Sequence, residues 1–442
     1  MKRLVPTVAT LLALAPPALA QGALELSQAL QALPSTLDWK SADLNYESAL
    51  RQLEAALAAQ GLKLAGGADY TLRENTGSNL SLSATASLGV LPWSSSADAV
   101  QSAQRALERA ALTRLEARNN LYLSLHNQYF NLRLAQSDLE IAQATLALRE
   151  QQLQVARAQN QAGSATLSEL LTAQQNLDTA RSALLSAQGA LELARLTLAA
   201  TLGRRPQDLG PPSTSPSEPE LPSEDLEALL QKALAQRPDV QRSLSLLQEA
   251  EANLASAQRE RLIPNATLNA GYSSPEASLA AGLNFKSGVA SLSAAIPLVQ
   301  GSSLGAAGWS LGLSLSLPIL EPAGDSRIAS AQTALASAQL ALETARRAAE
   351  LDVRQKLQNL KTAKASIAAA QAGLNSASQT LRTAQARLQA GTGTRLEVQA
   401  AQLAQLQAQR NLEAALIQAQ LAALALQNAL GTDLTASLGG TR

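Results

Sequence analysis

Few residues in this chain could do covalent chemistry. There is one His and no Cys, which excludes the usual nucleophile–base pairs, thiolate metal sites and a disulfide framework. His126 lies in a helical segment, where packed or solvated roles are ordinary. The stretch from Gly301 to Gly308 is glycine-rich, but the Lys-Ser/Thr of a phosphate loop does not follow it. The carboxylates are spaced as helix-surface charges with Arg and Lys nearby. These absences argue against an enzyme and against a cofactor or metal. Two carboxylates stand out by position. Glu169 and Glu397 recur within two matching stretches, QAGSATLSELLTAQ at 161–174 and QAGTGTRLEVQAAQ at 389–402.

The twin stretches share seven of fourteen residues and lie 228 positions apart. Each reads as a helix stop followed by a helix start. Gly163 and Gly391 are C′ glycines that end one helix. Thr166-x-x-Glu169 and Thr394-x-x-Glu397 are capping boxes that start the next, each placing its Glu at the positive end of a helix. Each twin is therefore the tip of an antiparallel helical hairpin.

The elements that position the tips are duplicated too. Ala103 to Leu107 resembles Ala331 to Leu335, Asn131-Leu132 matches Asn359-Leu360, and Leu202-Gly203 matches Leu430-Gly431, all at the offset of 228. This is far longer than a solenoid period, so the chain is a duplicated unit rather than an array. In the second copy Ile328, Ala331, Leu335, Ala338, Leu342, Ala345 and Ala349 follow the 3–4 spacing of a coiled-coil seam. Val100, Ala103, Leu107 and Ala110 repeat it in the first. No Pro or Gly occurs from Asp98 to Asn160, and a helix of that length spans about 95 Å at 1.5 Å per residue.

Before each hairpin the pattern changes to a period of two. Leu80, Leu82, Ala84, Ala86, Leu88 and Val90 alternate with small polar residues, as do Trp309, Leu311, Leu313, Leu315, Leu317 and Ile319. Partner strands precede them at Leu62–Leu72 and Ala266–Tyr272. Such lengths suit tilted membrane-spanning strands, and Tyr70, Trp93, Tyr272 and Trp309 fall near strand ends, where interfacial aromatics belong. A soluble sheet with one buried face is the competing reading, and the Ser, Thr, Gly and Asn of the other face weigh against it. Four strands cannot close a membrane barrel, and lipid does not tolerate open edges, so the chain must oligomerise. Ser274 to Gly308 has no counterpart in the first copy. Its alternating segments, Ala277–Phe285 and Val289–Pro297, are an added hairpin or longer strands with a loop.

Composition agrees with thin helical layers in a secreted protein. Aromatics are 2% of the residues, and Ala, Leu, Gln and Ser dominate. The start, MKRLVPTVATLLALAPPALAQG, reads as a signal peptide over 1–20 with an A-x-A site at Ala18-Leu19-Ala20. No later apolar run is long enough for a membrane helix. The formal net charge is zero, and −2 without Lys2 and Arg3, so nothing attracts nucleic acid. The expected organisation is a first repeat over 21–210 (strands 62–91, hairpin 98–203) and a Pro/Ser-rich linker over 211–225. A second repeat over 226–434 (strands 266–319, hairpin 325–431) and a tail over 435–442 complete it.

The order of these parts resembles the TolC family of outer-membrane efflux and secretion channels. The residues that carry the resemblance are the paired tips, Ala233–Val240 (ALAQRPDV), Ile263-Pro264-Asn265 entering a strand, and Leu315–Leu320 (LSLPIL) leading into a helix. The resemblance implies a mostly α fold with a small β part: a homotrimer whose long helical hairpins form an α-barrel through the periplasm, capped by a twelve-stranded β-barrel in outer-membrane lipid. It implies a passive duct that docks a periplasmic adaptor and an inner-membrane pump. Ala162, Gly163, Ser164, Ala390, Gly391 and Thr392 then fall on the adaptor-docking tips. Glu397 falls on an acidic aperture position, where three copies would favour cations, and Ser168-Glu169 on its partner pair. The rest of the family's aperture lock departs. Ala400 stands at the second acidic position, Gly393 at the Arg position with Arg395 two residues on, and Leu388 at the Tyr position. The rival classes are a structural or adhesive coiled-coil envelope protein without a pore and a periplasmic amphipathic lipid binder. Neither explains the duplicated order of strands and hairpins.

Overall fold

The computed structural model describes residues 23–73, 77–299, 307–316, 322–436 and 438. The signal-peptide reading, residues 301–306 of the glycine-rich stretch and the strand residues Leu317–Ile319 lie outside the described residues. In chain order the elements are α1 (Leu26–Gln31), α2 (Leu37–Gln60), β1 (Lys63–Arg73), β2 (Gly77–Gly89), α3 (Ser95–Gln161) and α4 (Leu167–Leu202). They continue with α5 (Leu226–Gln236), α6 (Pro238–Leu262), β3 (Asn265–Ser273), β4 (Ser278–Asn284), β5 (Val289–Val299), β6 (Gly308–Ser316), α7 (Pro322–Gln389) and α8 (Arg395–Ala429). Among the described residues no helix is long and apolar enough to cross a membrane. The chain divides into two units, one of 1–36, 124–217 and 366–417, the other of 37–123, 218–365 and 418–442.

In the second of these units the helices pack along the seam the sequence marks. All seven seam residues of α7 are buried or half-buried, while most of the positions between them are exposed. Small Ala at alternate seam positions brings helix axes close. Leu342 and Ala349 pack with Val240 and with Leu244 and Leu247 of α6. Val353 and Leu360 continue the line against Leu229, Leu230 and Ala233 of α5 and Leu426, Ala429 and Leu430 of α8. Asp225 caps α5 by accepting from the Ala228 N–H at 3.0 Å. Pro238 opens α6 at its first turn, the one place in a helix where its missing N–H costs nothing.

The same unit holds one antiparallel sheet, of order β1-β2-β5-β4-β3-β6. The sequence reading found four strands and left open whether 274–308 adds more; among the described residues the sheet has six. The residues between β3 and β6 contribute β4 and β5, which pair with each other and separate β2 from β3. Alternation reveals a strand but not its partners, so this placement was not readable. The registers bring Leu64, Tyr70, Leu82, Leu88, Leu292, Ile296, Leu279, Leu268, Tyr272, Trp309, Leu311, Leu313 and Leu315 to a single face. All of them are exposed. The opposite face carries Ser83, Thr85, Ser87, Ser291, Ser293, Thr267, Asn269 and Ser314. A sheet apolar on the outside of the fold and polar on the other side is the inverse of a soluble half-buried sheet.

In the other unit the N-terminal segment and the linker lie together. Leu24 bridges Pro212 in parallel, and the Tyr129 hydroxyl donates to Leu24 O at 2.7 Å while accepting from the Thr214 N–H at 2.9 Å. His126 is buried beside Phe130, with ring centroids 6.4 Å apart, a packed residue rather than part of a ligand cluster.

Candidate functional site: two hairpin tips and a lipid-facing sheet

Both tips are built by the same backbone device. α3 ends at Gln161 and Gly163 adopts φ 74°; α7 ends at Gln389 and Gly391 adopts φ 73°. After each glycine two N–H groups converge on one helix carbonyl. Ser164 and Ala165 donate to Gln159 O at 2.9 and 3.2 Å, and Thr392 and Gly393 donate to Arg387 O at 2.9 and 3.0 Å. The Ser164 and Thr392 hydroxyls donate to the same carbonyls. Ala162, Gly163, Ser164, Ala390, Gly391 and Thr392 are all exposed, so each tip presents a small, polar-backbone knob.

The caps that follow differ. Thr166 and Glu169 form a complete box: the Glu169 N–H donates to Thr166 Oγ1 at 3.2 Å, and the Thr166 N–H donates to Glu169 Oε2 at 2.7 Å. These bonds to Thr166, the backbone one first, hold the Glu169 carboxyl below its ordinary pKa. In the second tip only one half forms among the described residues, the Glu397 N–H donating to Thr394 Oγ1 at 3.2 Å. The sequence reading of a full second box is corrected to that extent, and Glu397 is exposed. A further bond also distinguishes the tips. Asn160 Nδ2 donates to Ala165 O at 2.9 Å, whereas its duplicate, Leu388, has no donor. Gly393, duplicate of Ala165, sits so close to the preceding helix that a Cβ would lie 2.9 Å from Arg387 Cβ. Ser168 and Arg395 are exposed at the starts of α4 and α8.

Sequence reasoning missed a charged cluster between α3 and α8 in the same unit as the tips. Arg410 makes two bonds to Asp138, at 2.7 and 3.0 Å. These bonds chiefly raise the Arg410 pKa. Arg133 pairs with Glu413, which also accepts from Ser137 at 3.2 Å. Arg133, Ser137, Arg410 and Glu413 line, with Leu374, Leu406 and Leu416, a cleft of about 310 Å³. The available signal was a break in the duplication. The equivalents of Asp138 and Arg410 are Ser366 and Ser182, so the pair joins the two halves once and has no duplicate.

The sheet places its aromatics at both rims. Tyr272 and Trp309 are register partners with ring centroids 5.0 Å apart, and Tyr70 lies toward the same rim, near the β1–β2 connection. At the opposite rim, where β1, β2, β3 and β6 join helices, Trp93 Nε1 donates to Phe285 O at 3.0 Å.

Long paired helical hairpins joined to a sheet with its apolar face outward define a channel-type outer-membrane protein. The outer membrane efflux protein family model matches twice, over residues 23–204 and 229–432, and the chain belongs to that family, the TolC family of outer-membrane efflux channels. It is thus a transporter of the outer membrane rather than an enzyme, and the pore-less alternatives fall away. The fold is similar to the outer membrane protein VceC of Vibrio cholerae, at 21% identity and a TM-score of 0.67 over 92% of this chain and 96% of that one. It is also similar to the CmeC outer membrane channel of Campylobacter jejuni, at 17% identity and a TM-score of 0.71 over 92% and 85%. For the open-state MtrE outer membrane channel of Neisseria gonorrhoeae the figures are 20%, 0.69, 92% and 89%. Comparison with curated protein sequences gave no match.

Proposed function

We propose that three copies of this chain form the passive exit duct of a tripartite efflux pump, with its six hairpin tips docking a periplasmic adaptor that links it to an inner-membrane pump. The observation that carries this reading is the pair of tips. Two segments 228 residues apart keep the same left-handed glycine, the same converging N–H groups and the same exposed small side chains. A turn needs only the glycine; exposure of small residues on both sides of it suits close approach by a partner's backbone. The sheet supports outer-membrane insertion, with Tyr70, Tyr272 and Trp309 at one lipid interface and Trp93 at the other. Glu169 and Glu397, flanked by Ser168 and Arg395, stand beside the tips as the charged groups of the aperture.

Replacing Gly163 and Gly391 together by Gln, which is bulky but not β-branched, tests docking. A Cβ at either glycine meets nothing within 4 Å, so the main cost is the left-handed conformation, about 1–2 kcal/mol per site. Trimers should still form in the membrane while efflux of toxic solutes by the reconstituted pump is lost. Full efflux by this variant would refute docking at the tips.

A further inference from the structure

The position of β4 and β5 changes what the membrane wall must be. We infer that each chain contributes six strands to the wall and that the trimer closes an eighteen-stranded barrel, its β1 edge pairing with β6 of the next copy. The number eighteen rests on the trimer proposed above; six strands per chain does not.

Three observations carry it. First, the added hairpin has the same two-faced register as its neighbours. Leu279, Ala281 and Leu283 of β4 and Leu292, Ala294 and Ile296 of β5 continue the apolar face, while Asn284, Ser291 and Ser293 continue the polar one. A loop lying outside the membrane has no need of that match. Second, its return turn is built into the rim where strands join helices. Gly288 O accepts from the Val90 and Leu91 N–H groups at 2.9 and 3.1 Å, and Phe285 O accepts from Trp93. The hairpin therefore crosses the whole height of the sheet. Third, the edges are complementary. Every neighbouring pair is antiparallel, so six strands leave β1 and β6 pointing in opposite directions, and a second copy can add to either edge as another antiparallel pair. An odd insertion would have set copies parallel. The apolar face also runs to both edges, where exposure is highest. Leu64 and Leu311 are 76% and 79% exposed, against 46% for Leu82 and 48% for Leu292 inside the sheet. The difference is the missing neighbour, and open edges are not tolerated in lipid.

At about 4.8 Å between strands and a tilt near 40°, eighteen strands enclose a barrel about 36 Å across at the backbone, against about 24 Å for twelve. The outlet is then wide enough that the wall, lined by Ser, Thr and Asn, does not sieve small solutes. Selection falls to the periplasmic end.

The chain has no Cys, so introduced pairs report cleanly. In outer membranes, Ala84→Cys with Ala294→Cys, partners in the β2–β5 register, should cross-link within a chain at least tenfold more efficiently than Ala84→Cys with Ala270→Cys, which tests direct β2–β3 contact. Ala294→Arg should lower the amount of inserted protein by roughly thirtyfold or more, the lower end of the penalty for a lipid-facing Arg at mid-depth, and Ser293→Arg should leave it within about twofold. Efficient Ala84–Ala270 linkage together with a tolerated Ala294→Arg overturns the inference, because β4 and β5 would then lie outside the wall. Ala68→Cys on β1, scanned against single Cys substitutions at Leu311 and Leu313 on β6, should link chains into a ladder ending at three. A ladder ending elsewhere overturns the trimer and the number eighteen, while the Ala84–Ala294 pair still decides six strands per chain.

Discussion

Gly203 and Gly431 are duplicates, 228 residues apart, and both adopt the left-handed region, at φ 63° and 78°. Their surroundings differ. A Cβ on Gly203 meets nothing within 4 Å, whereas one on Gly431 would lie 2.6 Å from the Gln236 carbonyl carbon and oxygen and 2.8 Å from Arg237 N. Those atoms join α5 to α6 and cannot swing aside. The Arg237 N–H donates to Ala233 O at 2.9 Å, and its guanidinium binds Asp352 at 2.7 Å. Gly203→Ala therefore costs the left-handed conformation alone, about 1–2 kcal/mol. Gly431→Ala adds a backbone displacement of roughly 0.8 Å, an overpacking cost of about 1–3 kcal/mol. A difference near 2 kcal/mol corresponds to about 4–8 °C in the melting temperature of a unit of 150–250 residues. Thermal unfolding of the detergent-solubilised protein, followed by helical circular dichroism, measures it. Equal destabilisation by the two substitutions would show that the Gly431 contact yields freely and would refute the reasoning.

Glu397→Gln should reduce the cation preference of single channels in planar bilayers, because its carboxylate is exposed and free of a cap partner; an unchanged reversal potential argues against an aperture role. The Glu169 cap should be sensitive only to strong acid. Its folded pKa is depressed, so the cap's contribution is complete above the ordinary carboxylate value and lost as pH falls through the lower folded one. Amide exchange at Thr166 should report that loss, and Glu169→Gln should abolish the pH dependence; a transition near neutrality contradicts the assignment. The Asp138–Arg410 pair should show a coupling of about 1 kcal/mol in a double-mutant cycle with Asp138→Asn and Arg410→Gln. That lies at the upper end for partly exposed pairs, because the two bonds are parallel. Zero coupling would make the pair incidental.

What the sequence disclosed was what local chemistry decides. The tips were legible because the glycine, the Thr cap and the Glu three residues later all act within one turn. The helix seams and alternating strands were legible because burial repeats with the period of the element. Partners were not. Nothing in the alternation of Ala277–Phe285 says that it lies between β5 and β3, since pairing is decided by turns and by the Trp93 rim, far away in the chain. The Arg410–Asp138 pair joins residues 272 apart, and only the failure of its duplicate hinted at it. The Thr394–Glu397 motif was read correctly as a helix start. The second half of its box depends on where the Glu397 side chain settles, which the motif leaves open.

Duplication explains both the sameness of the halves and where they part. A repeated backbone needs the same glycines at the same turns, so Gly163 and Gly391 keep one conformation. It does not need the same side chains where the copies meet different neighbours. Asn160 braces the first tip, and Leu388 in its place leaves the second with fewer internal bonds. Gly393 draws the second tip against Arg387, and its Glu is not tied into the cap. The second tip is consequently the less constrained of the two and carries the freer charge. Leu388→Asn would restore the missing donor and should slow amide exchange at the second tip toward that of the first.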